Sequence, residues 1–449
     1  MIHCLFICQI LYWTFPMPRI LPILGLALAL RCGAFAQTPA PALTLTLPQA
    51  LDRAKAVSQQ LLSADIAARI AREDRVQAKA ALLPSVNWEN GFSYTQSNGP
   101  DNSLTFVPND GPRIYTNLAN VHADVYAPGK RADYQMAIAA EAVARAKIEI
   151  AARGLTAVVV QNFYAMAVAQ RHYNNARLSL QEAQQFVDIT QKQEAGGEAA
   201  HSDVVKAQLT LDQRLRDVQE GQLAYDKARI GFAVFLFPDF RQDYAVADDL
   251  DRLTPLSAFP EIAALAQKSN PEIRAAQSTV TQQTFGIKSA RSGLLPTLSV
   301  DYWVGLQARQ YALHNEFGQN NVGNYVVASL NGPVWNWGAT RSKVKQAELR
   351  LEQARTDLSF TQRQLLSNLN AFYLEASVAA SQVASLKHSL DLSDESLKLT
   401  LLRYEAGEVT VLEVVDAQTT LFTARNAYDD GLSRYRLALA ALQTLTGAF

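Results

Sequence analysis

The sequence predicts a mainly α-helical fold with a small β part, in which one structural unit is used twice. Three observations predict it. The same signals recur about 210 residues apart. Residues 129–237 and 334–449 contain no proline; proline removes a helical donor and clashes with the preceding turn, so these are long-helix regions. Four short segments alternate apolar with polar residues, as half-buried strands do.

The duplication is explicit. Leu82-Leu83-Pro84 precedes a strand, a Gly/Asn-rich loop, a second strand and a helical run to Glu194-Ala195-Gly196. Leu294-Leu295-Pro296 opens the same series, which ends at Glu405-Ala406-Gly407. Phe163-Tyr164 matches Phe372-Tyr373, and Val205-Lys206-Ala207-Gln208 matches Val415-Asp416-Ala417-Gln418. The period is too long for a small solenoid repeat. It divides the chain into a first copy, 37–237, a Pro/Asp-rich connector against the bundle's side, 238–260, and a second copy, 261–449.

In chain order, residues 1–36 read as a signal peptide. Arg19 supplies a basic start, residues 20–30 an apolar stretch, and Ala34-Phe35-Ala36 a small-x-small site cleaved after Ala36. Met17 then fits as the true start, with 1–16 an upstream extension. Cys4, Cys8 and Cys32 all precede the cut, so the mature chain has no thiol, as suits an oxidising compartment. Lipid attachment at Cys32 is disfavoured by Arg31 before it. Cleavage removes two of the 41 basic residues and none of the 42 acids, leaving a net charge of −3. That is no field for nucleic acid.

Next comes a helix over 48–82, matched by one over 260–294, each about 35 residues or about 52 Å. The long helices, 130–195 and 339–406, are each about 100 Å, and the return arms, 198–236 and 408–446, about 58 Å. Gly196-Gly197 and Gly407 make the turns between them. One return arm and one pre-strand helix, end to end, roughly match a long helix. This predicts a bundle about 100 Å long, with many alanines for close, coiled-coil-like packing.

The strands have two faces. Val86, Trp88, Phe92 and Tyr94 oppose Asn87, Glu89, Ser93 and Thr95. Ala119, Val121, Ala123 and Val125 oppose Asn120, His122 and Asp124. Leu298, Val300, Tyr302, Val304 and Leu306 oppose Thr297, Ser299, Asp301, Gln307 and Arg309. Val322, Val326, Ala328 and Leu330 mark the fourth strand. Segments of this length fit a membrane barrel with a wet lumen. Four strands cannot close one, and open edges are not tolerated in lipid. Three chains would give twelve strands; these residues alone equally permit two or four chains.

Tyr404-Glu405-Ala406-Gly407-Glu408-Val409-Thr410-Val411-Leu412-Glu413-Val414-Val415-Asp416-Ala417-Gln418 resembles the helix–turn–helix tip of the TolC-type outer-membrane efflux proteins. Pro333-Val334-Trp335 with Gly338 resembles that family's exit from the last strand of a repeat. The resemblance implies a trimer, with a twelve-stranded outer-membrane barrel on a periplasmic α-helical tunnel. An inner-membrane transporter and a periplasmic adaptor would deliver the substrates. It places Tyr404, Glu413, Asp416, Ser202 and Asp203 at the periplasmic entrance, and Gly196, Gly197, Gly407, Glu408, Val409 and Thr410 at adaptor-contacting tips. Glu413 and Asp416, three apart, share a helical face; threefold symmetry would make each a ring favouring cations. Val409 stands where the family's best-known member has an arginine tying neighbouring chains, so that link cannot form here.

Other classes find little support. The histidines have no metal-ligand spacing, Gly196-Gly197 lacks the Lys-Ser/Thr of a phosphate loop, and no catalytic constellation or cofactor motif stands out. A periplasmic coiled-coil scaffold or adaptor without a barrel is the alternative; the alternating strands and the duplication argue against it.

Overall fold

The computed structural model of the chain describes residues 43–95, 113–239 and 242–447. The targeting segment with Ala36, the three cysteines and the loop of the first copy lie outside the described residues. Each copy contributes helices of the same lengths. α1 (Leu47–Val57) and α5 (Phe259–Ser269) have 11 residues. α2 (Gln59–Ala80) and α6 (Pro271–Ser292) have 22. α4 (His201–Leu236) and α8 (Val411–Thr446) have 36. The long helices are α3 (Pro128–Gly196), 69 residues, and α7 (Ala339–Glu405), 67 residues, each about 100 Å.

One expectation is corrected. The single helices expected over 48–82 and 260–294 are each two helices. Ser58 is extended (φ −62°, ψ 113°), and its hydroxyl caps Leu61 N at 3.2 Å. Asn270 precedes Pro271, which disfavours a helical backbone there; its Oδ1 accepts from Glu272 N (2.8 Å) and Ile273 N (3.0 Å). Each break stops one helix and caps the next.

The strands form one antiparallel sheet in the order β2 (Ser85–Tyr94), β3 (Arg113–Tyr126), β5 (Thr297–Ala308), β6 (Val322–Asn331). The two copies meet at β3 and β5. A small parallel pair joins β1 (Leu43–Leu45) to β4 (Tyr244–Val246).

Three apolar clusters lie along the bundle. At mid-length Phe163 packs edge-on to Tyr164 and Phe232, with Leu45, Tyr244 and Leu250 of the end segment and connector around them. Burying each such aromatic contributes about 2–3 kcal/mol. A second cluster, around Leu369, Ala376, Ala438 and Leu442, seats α5. The third, with Phe186, Val187, Leu397, Val411 and Val414, lies near the helical turns.

The connector is fastened by charge. Arg171 on α3 takes Asp248 (2.5 Å), Asp251 (2.7 Å) and Asp429 of α8 (3.0 Å), while Arg436 takes Asp249 (2.6 Å). Burial alone would lower the Arg171 pKa; hydrogen bonds to these three aspartates outweigh it and hold the guanidinium above its ordinary value.

Candidate functional site

The register sets the faces of the sheet. Opposed residues of antiparallel strands share a face. Val86, Val121, Tyr302 and Val326 form one row, and Ala123, Val300 and Ala328 another. This face is apolar, with Val86, Trp88, Phe92, Val326 and Leu330 strongly exposed. Tyr94, Phe92, Tyr115 and Tyr311 cluster at one end. Trp335 and Trp337, edge to face at 5.7 Å, stand exposed beyond the other. The residues of β5 between span about 33 Å, or about 25 Å when tilted as barrel strands are, the height of an outer-membrane apolar band. The opposite face is polar: Ser85, His122 and Asp301 share a row, as do Asn87 and Asn120. His122 Nδ1 lies 2.8 Å from Asp301 Oδ1, and Asn120 donates to the same oxygen at 3.3 Å.

At the other extreme are two helical turns of one design. Gly197 (φ 79°) and Gly407 (φ 76°) take the left-handed conformation that only glycine adopts cheaply. Glu198 N donates to Gln193 O (2.8 Å) and Glu408 N to Arg403 O (2.9 Å), closing the same Schellman turn in both copies. Gly196 is the last residue of α3.

The helix starts differ. Thr410 and Glu413 form a capping box on α8, with Glu413 Oε1 accepting from Thr410 N at 3.4 Å. Ala200 has no such side chain; instead His201 Nδ1 sits 2.7 Å from Glu194 Oε1 across the turn. Asp203 accepts from Lys206 at 3.4 Å.

Glu413, Asp416, Ser202 and Glu408 are exposed, and Asp203 and Val409 half-buried. Tyr404 is buried, its ring edge-on to Phe186 at 5.1 Å and its hydroxyl 3.5 Å from Thr190 Oγ1. Gln193 donates to the Tyr404 carbonyl at 3.3 Å, linking the two turns. Asp203 and Tyr404 thus take separate partners within the chain, and Val409 packs against the apolar cluster at the turns. The connector clasp was not foreseen; the acid run Asp248-Asp249-Leu250-Asp251 was its only signal. Among the described residues no three His, Cys, Asp or Glu are placed to hold a metal, and no helix is long and apolar enough to cross a membrane.

A sheet with a lipid-type outer face, continued by 100 Å helices, defines an outer-membrane channel protein with a periplasmic extension. The chain belongs to the outer membrane efflux protein family, whose pattern matches residues 50–234 and 262–448. It is 24% identical over 408 residues to the outer membrane protein TolC of Vibrio cholerae, covering 88% of this chain and 89% of that one. It is 20% identical over 386 residues to the alkaline protease secretion protein AprF of Pseudomonas aeruginosa, covering 84% and 79%. Its fold matches the outer membrane protein VceC of Vibrio cholerae with a TM-score of 0.79, at 17% identity, covering 89% of this chain and 96% of that one. The protein is an outer-membrane channel of the efflux and secretion type, extending into the periplasm.

Proposed function

We propose that three copies of this chain assemble into one duct. Twelve strands form its outer-membrane barrel, and the helical pairs α3/α4 and α7/α8 of each copy line the periplasmic tunnel. The observation that carries this is the sheet itself. Its outer strands, β2 and β6, have 10 residues each and meet no further strand among the described residues, while its apolar face is bare. Pairing β6 of one copy with β2 of the next removes every open edge, which lipid requires.

In this reading Glu413 and Asp416 ring the periplasmic entrance, with Ser202, Asp203 and Tyr404 in the closed-state links. Gly196, Gly197, Gly407, Glu408, Val409 and Thr410 meet a periplasmic adaptor, and an inner-membrane transporter loads the duct. Val409 leaves closure to apolar packing at the turns rather than to an arginine between copies. The division into copies at 37–237 and 261–449 belongs to the same reading, as does removal of residues 1–36. Passage involves no chemistry on the cargo.

Native mass spectrometry of the protein extracted from outer membranes tests it. Three copies, each beginning at Gln37, are expected. A stable monomer that conducts ions across a bilayer overturns the shared barrel.

A further inference from the structure

With the polar face of the sheet lining the pore, as the duct reading requires, two aromatic rings stand on the wall of the lumen. Trp303 on β5 and Tyr325 on β6 are register partners. Their ring centroids are 6.1 Å apart and their planes 11° from parallel. Tyr325 is 47% exposed, so the stack is open to the lumen.

The surroundings keep it open. The next row contains Glu89, Leu118, Gly305 and Gly323. Gly305 is required by the backbone: its φ is 149°, and a Cβ there would run into the Asn117 carbonyl. Gly323 is not required in that way. A Cβ at Gly323 would meet nothing within 4 Å in this chain. Its absence leaves the flank of the two rings clear.

Two carboxylates share this face. The row nearer the helices carries Asp301, held by His122 and Asn120. Glu89 is exposed on the same face of β2, the strand that the seam between copies brings beside β6. Aromatic faces attract cations through their quadrupole, and carboxylates add to that attraction. A strongly hydrated cation such as magnesium keeps its water and gains only the charge, and a neutral ring only the stacking.

We propose that each third of the lumen carries a stacking site for planar aromatic cations, formed by Trp303 and Tyr325 with Asp301 and Glu89 as counter-charge. Repeated around the axis, three such sites would slow and orient flat cationic cargo on its way out.

The test uses the full assembly in a planar lipid bilayer, with proflavine as the planar cation and magnesium as the strongly hydrated one. Tyr325→Leu should shorten proflavine blocking events about tenfold, whereas Tyr325→Phe should leave them unchanged. Asp301→Asn should also shorten them. Magnesium block should not respond to Tyr325→Leu. If proflavine events are as long in Tyr325→Leu as in the unaltered channel, at equal conductance, the site is refuted. It is equally refuted if both cations respond alike, because the rings would then serve only to cover the glycine-bearing strands. An unaltered protein that forms no conducting pore would overturn the duct reading itself, a separate result.

Discussion

Replacing Arg153 by methionine should loosen three helices at once. Arg153 sits on α3, where Nη1 donates to the carbonyls of Thr444 (3.2 Å) and Leu445 (3.1 Å), and Nη2 to that of Ser269 (2.9 Å). These are the last turns of α8 and α5, where carbonyls have no helical partner and the helix dipole is negative. Ser269 Oγ adds a bond to Thr446 O at 2.6 Å. Methionine keeps the apolar stem but leaves three part-buried carbonyls without this donor, so the cost should be about 1–3 kcal/mol per copy, the range for unpaired neutral acceptors. Lysine, a single point charge without the fork, should recover roughly half. A Cβ at Gly447 would press on Arg153 Nη2 at 2.6 Å, so Gly447→Ala should reproduce part of the loss. Thermal unfolding in detergent gives the stability, and amide hydrogen exchange over 440–446 locates the loosening. An unchanged midpoint with unchanged exchange in Arg153→Met would show that the guanidinium does not hold these ends.

Three further outcomes are expected. Glu413→Gln keeps the capping-box acceptor and removes the charge, so paired with Asp416→Asn it should lower cation selectivity and polyvalent-cation block in single-channel recordings without loss of stability; Glu413→Ala should in addition cost about 0.5–2 kcal/mol through the lost cap. Burial opposes the charge of Glu141, but hydrogen bonds from Arg75 and Arg145, each 2.5 Å, prevail and hold its carboxyl below the usual range. Because the folded-state value is depressed, this stabilisation is full above the unfolded-state value and lost as pH falls through the folded one; melting temperatures measured from about pH 6 down to about pH 3 should fall more steeply for the native protein than for Glu141→Gln. Gly305→Ala should prevent assembly of three copies, read by native mass spectrometry, since its Cβ has no room against β3.

The architecture was readable because its signals are local. Missing prolines marked α3 and α7, glycines marked both turns, and period-two alternation marked the faces of β2, β3 and β5. The breaks at Ser58 and Asn270 are hidden in the sequence for different reasons. Asn270-Pro271 is a visible stop that looks like the interior of one helix when the flanking residues are good helix formers. Ser58 shows itself only through its cap. The β1–β4 pair joins three-residue segments 200 positions apart and leaves no period to detect. At the turns, the sequence marks Tyr404 beside Gly407 but carries no sign of its burial, which depends on Phe186 and Thr190, far along the chain on α3. Arg171 gave no sign of its three aspartates, because two come from the connector and one from the last helix.

The two helical hairpins, nearly equal in length, differ in charge. Where one turn is followed by Asp203 and Lys206, which pair with each other, its twin is followed by Glu413 and Asp416, two acids on one face. Three copies would therefore present six ends that look alike in backbone and alternate in electrostatics, weakly then strongly acidic. A partner that met every end by shape could still sort them by charge. Surface charge acts over only about 8 Å at physiological ionic strength. Raising the salt should then blur which part of the partner meets which hairpin while leaving the fit intact, so angular registry and affinity would become separable properties of one joint.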